Sequence, residues 1–136
     1  MVLMTHGAHL ATLHPAIFYN RLLEIRDAVI EYKKKSPETL FVFKTLNYAR
    51  GNFKRMFAVT SFFQAHRQRE IAFRVFGNPY TEDIRSDEFP VKVLDIYPLT
   101  LTAFDYLTEG NIHPRGGLCK TSSDALFNLM RHVGYF

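Results

Sequence analysis

The segment Thr39-Leu40-Phe41-Val42-Phe43 decides the fold, because it is the first of two short apolar runs that predict buried strands. Its aromatic and β-branched residues favour an extended backbone, and Pro37 and Asn47 bound it. The second run is Val91-Lys92-Val93-Leu94-Asp95. The sequence therefore predicts two strands, each of which ends in a polar stretch.

The segments before and after both predicted strands show the periodicity of helices. Apolar residues recur at helical spacing after Pro15, which suits a first helical position, and Pro37 stops this run. A long helix is predicted over residues 53–76, closed by Gly77-Asn78-Pro79, and a short one over 100–107. Thr121-Ser122-Ser123-Asp124 resembles a capping box, which predicts that the last helix begins there and ends at Gly134.

The order of these elements predicts an α/β fold, a parallel sheet flanked by helices across βαβ crossovers. Parallel sheets are buried on both faces and normally contain several strands, so two strands predict an incomplete sheet. We expect residues 1–136 to form one domain that is part of a larger α/β unit, or one whose sheet another chain completes. An open sheet edge also predicts self-association.

Composition narrows the function classes. The formal net charge of +4 is spread along the chain, without the aromatic and basic signature of a nucleic-acid module, so no nucleic-acid partner is predicted. Cys119 is the single cysteine, which excludes an internal disulfide and a paired-cysteine zinc site. We predict no metal and no cofactor. The sequence shows neither a signal peptide nor an apolar run of about 20 residues, so this segment is not expected to contact a membrane.

Three polar clusters follow the predicted strands or precede the last helix. Ligands of open α/β sheets gather beyond the carboxyl ends of the strands, so we expect these clusters to lie along one edge. The candidate site residues in them are Lys44, Asn47, Asp95, Thr100, Asn111 and His113.

These clusters carry a resemblance to a known family. The segments Phe43-Lys44-Thr45-Leu46-Asn47, Leu94-Asp95-Ile96-Tyr97-Pro98-Leu99-Thr100 and Asn111-Ile112-His113-Pro114 resemble, in order and spacing, the C-terminal domain of the NXPE family (neurexophilin and PC-esterase proteins). Gly7-Ala8-His9 is similar to the Gly-x-His segment of that family. The resemblance covers nearly the whole chain and implies an SGNH-hydrolase-like fold.

The resemblance also implies acyl-ester chemistry on carbohydrate, by an esterase or an O-acetyltransferase. His113 would be the base, and Asp95 would orient a partner or hold the loop. Gly7 and His9 would lie near the oxyanion pocket, with Lys44, Asn47, Thr100 and Asn111 around the substrate. The family further implies a secreted or Golgi-lumen location for the full-length protein and an acylated glycan as its partner.

This sequence departs from the pattern in two places. The Gly-Asp-Ser block that carries the nucleophile in SGNH enzymes lies upstream of the Gly-x-His segment, so we expect this chain to be a C-terminal part that is inactive alone. The position three residues before His113, commonly Asp in those enzymes, is Gly110. A second interpretation therefore stays open, in which the chain is a non-catalytic α/β domain that binds a glycan or a protein.

Overall fold

The computed structural model describes residues 1–5, 10, 13–46, 62–81, 88–102 and 117–132. Three parallel strands form one sheet in the order β1-β2-β3, and helices cover both of its faces. The predicted α/β class, with a parallel sheet flanked by helices, is confirmed. The elements in chain order are β1 (Val2–Met4), α1 (Pro15–Lys33), β2 (Phe41–Lys44), α2 (Phe62–Phe76), β3 (Val91–Leu94), α3 (Tyr97–Thr102) and α4 (Gly117–His132).

The prediction of only two strands was wrong. Strand β1 pairs in parallel with β2, with Val2 opposite Phe41 and Met4 opposite Phe43. The Val2 amide extends this pairing by donating to the Leu40 carbonyl at 2.8 Å. A strand of three residues is too short to show the two-residue alternation typical of strands. Its extended conformation depends on backbone pairing with β2.

Helix α1 begins at Pro15, as predicted, and ends at Lys33, four residues before Pro37. His14 precedes it as the N-cap, and its Nδ1 accepts a hydrogen bond from the Ala16 amide at 3.3 Å. Pro15 takes the first position, where its missing amide hydrogen costs nothing. One face of the helix is buried through Phe18, Leu22 and Val29.

The sheet separates two apolar cores. Helices α1 and α2 pack together on one face, over Phe41 and Phe43 of β2 and over Val91 and Val93 of β3. The tilted rings of Phe43 and Phe76, with centroids 5.2 Å apart, join β2 to the end of α2. On the opposite face, α4 packs over Leu40, Val42, Leu94 and Ile96 through Leu126, Leu129 and Met130. Because β2 and β3 are parallel, their carboxyl ends lie side by side at one edge of the sheet, outside the two cores.

Two predicted helix boundaries need correction. The last helix begins at Gly117, so the predicted capping box at residues 121–124 lies inside it. There Asp124 accepts a hydrogen bond from Lys120 at 2.9 Å, a pairing between residues four apart on a helix. The short helix covers Tyr97–Thr102, three residues earlier than predicted. Residues 53–61, 103–107 and Gly134 lie outside the described part of the chain.

Candidate functional site

Asp95 lies at the centre of a polar cluster at the carboxyl edge of the sheet. It follows the last residue of β3, and its side chain is only 3% exposed. Oδ1 accepts hydrogen bonds from the Thr45 hydroxyl at 3.0 Å and from the Tyr97 amide at 3.4 Å. Oδ2 accepts from Arg69 Nε at 2.7 Å and from the Tyr80 hydroxyl at 2.9 Å. Four donors thus fill the acceptor positions that a carboxylate offers.

Thr45 joins the ends of the two neighbouring strands. Its amide donates to the Leu94 carbonyl at 3.0 Å, which continues the pairing of β2 with β3 by one residue. Its hydroxyl donates to Asp95 and accepts from the Ile96 amide at 2.9 Å. Thr45 is 1% exposed, and a buried hydroxyl needs hydrogen-bond partners. Asp95 and Ile96 provide them.

Arg69 supplies the positive charge of the cluster from helix α2. Its side chain is 16% exposed, and besides Asp95 it donates from Nη1 to Glu70 at 3.1 Å. Its Cζ lies 4.4 Å from the ring centroid of Phe73 and 5.7 Å from that of Tyr80, within the range of cation–π attraction. Burial lowers the pKa of Arg69, but the hydrogen bond and the charge of Asp95 outweigh it, so the pKa stays above its ordinary value.

Tyr80 reaches Asp95 from the turn that follows α2. Gly77 ends the helix with φ of +91°, and the Asn78 side chain accepts from the Tyr80 amide at 3.0 Å. Burial, followed by the hydrogen bond and charge of Asp95, raises the pKa of the Tyr80 hydroxyl, against the opposing charge of Arg69. The hydroxyl therefore stays protonated and donates at neutral pH.

The cluster favours a positioning role for Asp95. A carboxylate with four donors, one of them a guanidinium, is held in one orientation. Its hydrogen bonds connect the ends of β2 and β3 to helix α2 and to the turn at Tyr80. Sequence reasoning found Asp95 but missed Arg69 and Tyr80. Arg69 had one signal, since it interrupts the apolar stripe of α2 between Ala65 and Phe73.

The structure also describes two other predicted site residues, Thr100 and Lys44. Thr100 is fully buried in α3, where its hydroxyl donates to the Tyr97 carbonyl at 3.0 Å. Lys44 ends β2 and alternates with Phe43, so its side chain leaves the sheet on the α4 face. Burial lowers the pKa of Lys44 to about 8.

The lowered pKa of Lys44 predicts a pH dependence of the unfolding free energy. In the unfolded chain the lysine keeps its proton up to a pH near its ordinary pKa, 10.5, whereas the folded protein loses it near 8. The unfolded state thus binds more protons between these values, so the contribution of Lys44 to the unfolding free energy rises with pH across this window. We expect Lys44→Met to be more favourable, relative to wild type, at pH 7 than at pH 10 in urea unfolding. A difference between the two proteins that is the same at both pH values would contradict this.

The remaining predicted site residues, Gly7, His9, Asn47, Asn111 and His113, lie outside the described part of the chain, so their roles stay predictions. Within the described residues, no group of three or more His, Cys, Asp and Glu side chains is placed to hold a metal ion. The described helices include none that is both long and apolar enough to cross a membrane.

Comparison with known proteins identifies the family. Residues 1–130 match the model of the NXPE family member 4-like C-terminal domain. The chain belongs to this family. The family suggested by the sequence, the NXPE C-terminal domain, is therefore confirmed. No curated protein and no solved structure matches the chain.

Proposed function

We propose that this NXPE domain takes part in acyl-ester chemistry on a carbohydrate, as an esterase or an O-acetyltransferase, with His113 as the general base. The observation that carries the proposal is the hydrogen bond between Thr45 and Asp95 at 3.0 Å. It joins two of the segments through which the chain resembles the family, although they are fifty residues apart in sequence. Both meet at the carboxyl edge, where open α/β sheets bind their ligands.

The proposed chemistry assigns a separate role to each group. His113 takes the proton of a serine hydroxyl as the serine oxygen attacks the ester carbonyl, and returns that proton to the departing alcohol. In the second step His113 takes a proton from water or from a sugar hydroxyl, whose oxygen accepts the acyl group, and returns it to the serine. Backbone amides around Gly7 and His9 would face the developing oxyanion. The serine would come from a segment upstream of Gly7, and the protein would act in the lumen of the secretory pathway or outside the cell.

Substitution of the histidine tests this proposal. The assay uses the longest natural form of the protein, so that any upstream serine segment that the gene encodes is present. We expect His113→Ala to lower turnover of an aryl acetate and of an acetylated sugar by about 100-fold or more, because the serine loses its base. Circular dichroism checks that the fold is intact.

The matched control is His132→Ala, which removes an exposed histidine from the end of α4 and should leave turnover unchanged. Wild-type turnover in a folded His113→Ala variant would refute the role of His113. No turnover in any natural form, with acylated sugars still bound, would instead support the non-catalytic binding domain.

A further inference from the structure

A second surface feature lies between the first turn of α1 and the outer side of α2. It is a groove of about 380 Å³, within the range of small-molecule sites, although open to solvent. Tyr19 of α1 and Ile71 of α2 supply its apolar surface, and Arg67, Glu70 and Arg74 of α2 supply its charges.

The charge of this groove is positive. Arg67 and Arg74 are exposed, and neither forms an ion pair with another residue in the described ranges. Glu70, between them, already accepts a hydrogen bond from Arg69 at 3.1 Å, so its charge is partly compensated. The first turn of α1 adds no acidic residue that would oppose the arginines.

The groove is separate from the Asp95 cluster. Successive residues of an α-helix are rotated by about 100°, so Arg67 lies on roughly the opposite side of α2 from Arg69. Arg69 extends to Asp95 at the sheet edge, whereas Arg67 and Arg74 line the outer groove. The two arginines are seven residues apart, which is two turns or about 10 Å along the helix.

We propose that this groove binds an oligosaccharide whose acidic groups are about 10 Å apart. One acidic group pairs with Arg67 and the next with Arg74, each through the forked donors of the guanidinium. The Tyr19 side chain is 39% exposed and offers its ring to the C–H face of a sugar between them. Sulfate and carboxylate groups both satisfy this chemistry.

Binding measurements with defined probes test the proposal without any catalytic step. The probes are a sulfated tetrasaccharide, a tetrasaccharide with carboxylates alone, a neutral tetrasaccharide and a single-stranded oligonucleotide of equal charge, titrated at low ionic strength into the 136-residue chain. We expect one or both acidic sugars to bind, and the neutral sugar not to bind. Arg67→Ala combined with Arg74→Ala should weaken binding by about tenfold or more.

A second double variant controls for net charge. Lys35→Ala combined with Arg131→Ala removes two exposed positive charges outside the groove and should change the affinity by about twofold at most. The relative affinities of the sulfated and carboxylated sugars then identify which acidic group the groove prefers. Equal losses in the two double variants, stronger binding of the oligonucleotide, or no binding of either acidic sugar would each overturn the proposal. Because none of these readouts needs His113, failure here leaves the proposed acyl chemistry to its own test.

Discussion

Replacing Asp95 by alanine is expected to lower the free energy of unfolding by about 3 kcal/mol or more, the cost of removing one partner from a buried ion pair. The variant leaves Arg69 with a charge at a position that is only 16% exposed. It also removes the acceptor of the Thr45 hydroxyl, which is buried, and that of the Tyr80 hydroxyl. Urea unfolding followed by circular dichroism measures the change.

Asp27 provides the matched control. It also pairs with an arginine, Arg26, at 2.9 Å, but its side chain is 63% exposed. We expect Asp27→Ala to change stability by no more than about 1 kcal/mol, as for other exposed ion pairs. If Asp95→Ala fails to fold, Thr45→Val tests the same cluster by removing a single hydroxyl. Equal effects of Asp95→Ala and Asp27→Ala would show that the cluster contributes no special stability.

The full set of donors around Asp95 refines its role in the proposed function. A carboxylate that holds a histidine in a catalytic triad uses one of its oxygens for that hydrogen bond. Both oxygens of Asp95 already accept two hydrogen bonds each within the described residues. In the described structure Asp95 therefore joins the ends of β2 and β3 to α2 and to the turn at Tyr80, and its catalytic role stays a prediction.

The strands and helices that sequence predicted well are those with a sustained local signal. Helix α1 shows five apolar residues at helical spacing between two prolines, and β2 and β3 are compact runs of apolar residues. Strand β1 has three residues and depends on backbone pairing with β2, which no local pattern reports. The capping-box prediction failed because Thr, Ser and Asp also occupy exposed helical positions, as in the middle of α4.

The residues of the candidate site also differ in how far the sequence could predict them. The position of Asp95 at the carboxyl edge of the sheet could be predicted, because that needs only the direction of the parallel strands. The functional roles of Asp95, Lys44 and Thr100 stay predictions. Arg69 and Tyr80 come from a helix and a turn whose approach to that edge depends on packing between α2 and β3. Tyr80 in particular belongs to a polar loop by composition, and in the structure it follows the turn at Gly77 and donates to Asp95.

The second large effect is expected at that glycine. Gly77 has φ of +91°, where a residue with a Cβ is strained by about 1–2 kcal/mol. A Cβ there would also lie 2.8 Å from Cγ of Phe89 and 2.9 Å from two further ring atoms, and such overpacking costs about 1–3 kcal/mol. We therefore expect Gly77→Ala to lower the free energy of unfolding by about 3 kcal/mol in total, measured by urea unfolding.

A double-mutant cycle separates the two causes. In a Phe89→Ala background the ring is gone, so Gly77→Ala should cost only the backbone strain, about 1–2 kcal/mol. The difference between the two backgrounds then measures the contact with the ring. An equal cost in both backgrounds would exclude the steric contribution, and a cost near zero would contradict the left-handed turn itself.

The same turn brings Tyr80 to Asp95, so Gly77→Ala should weaken the hydrogen bond between them. We therefore expect Tyr80→Phe to lower the free energy of unfolding less in Gly77→Ala than in wild type.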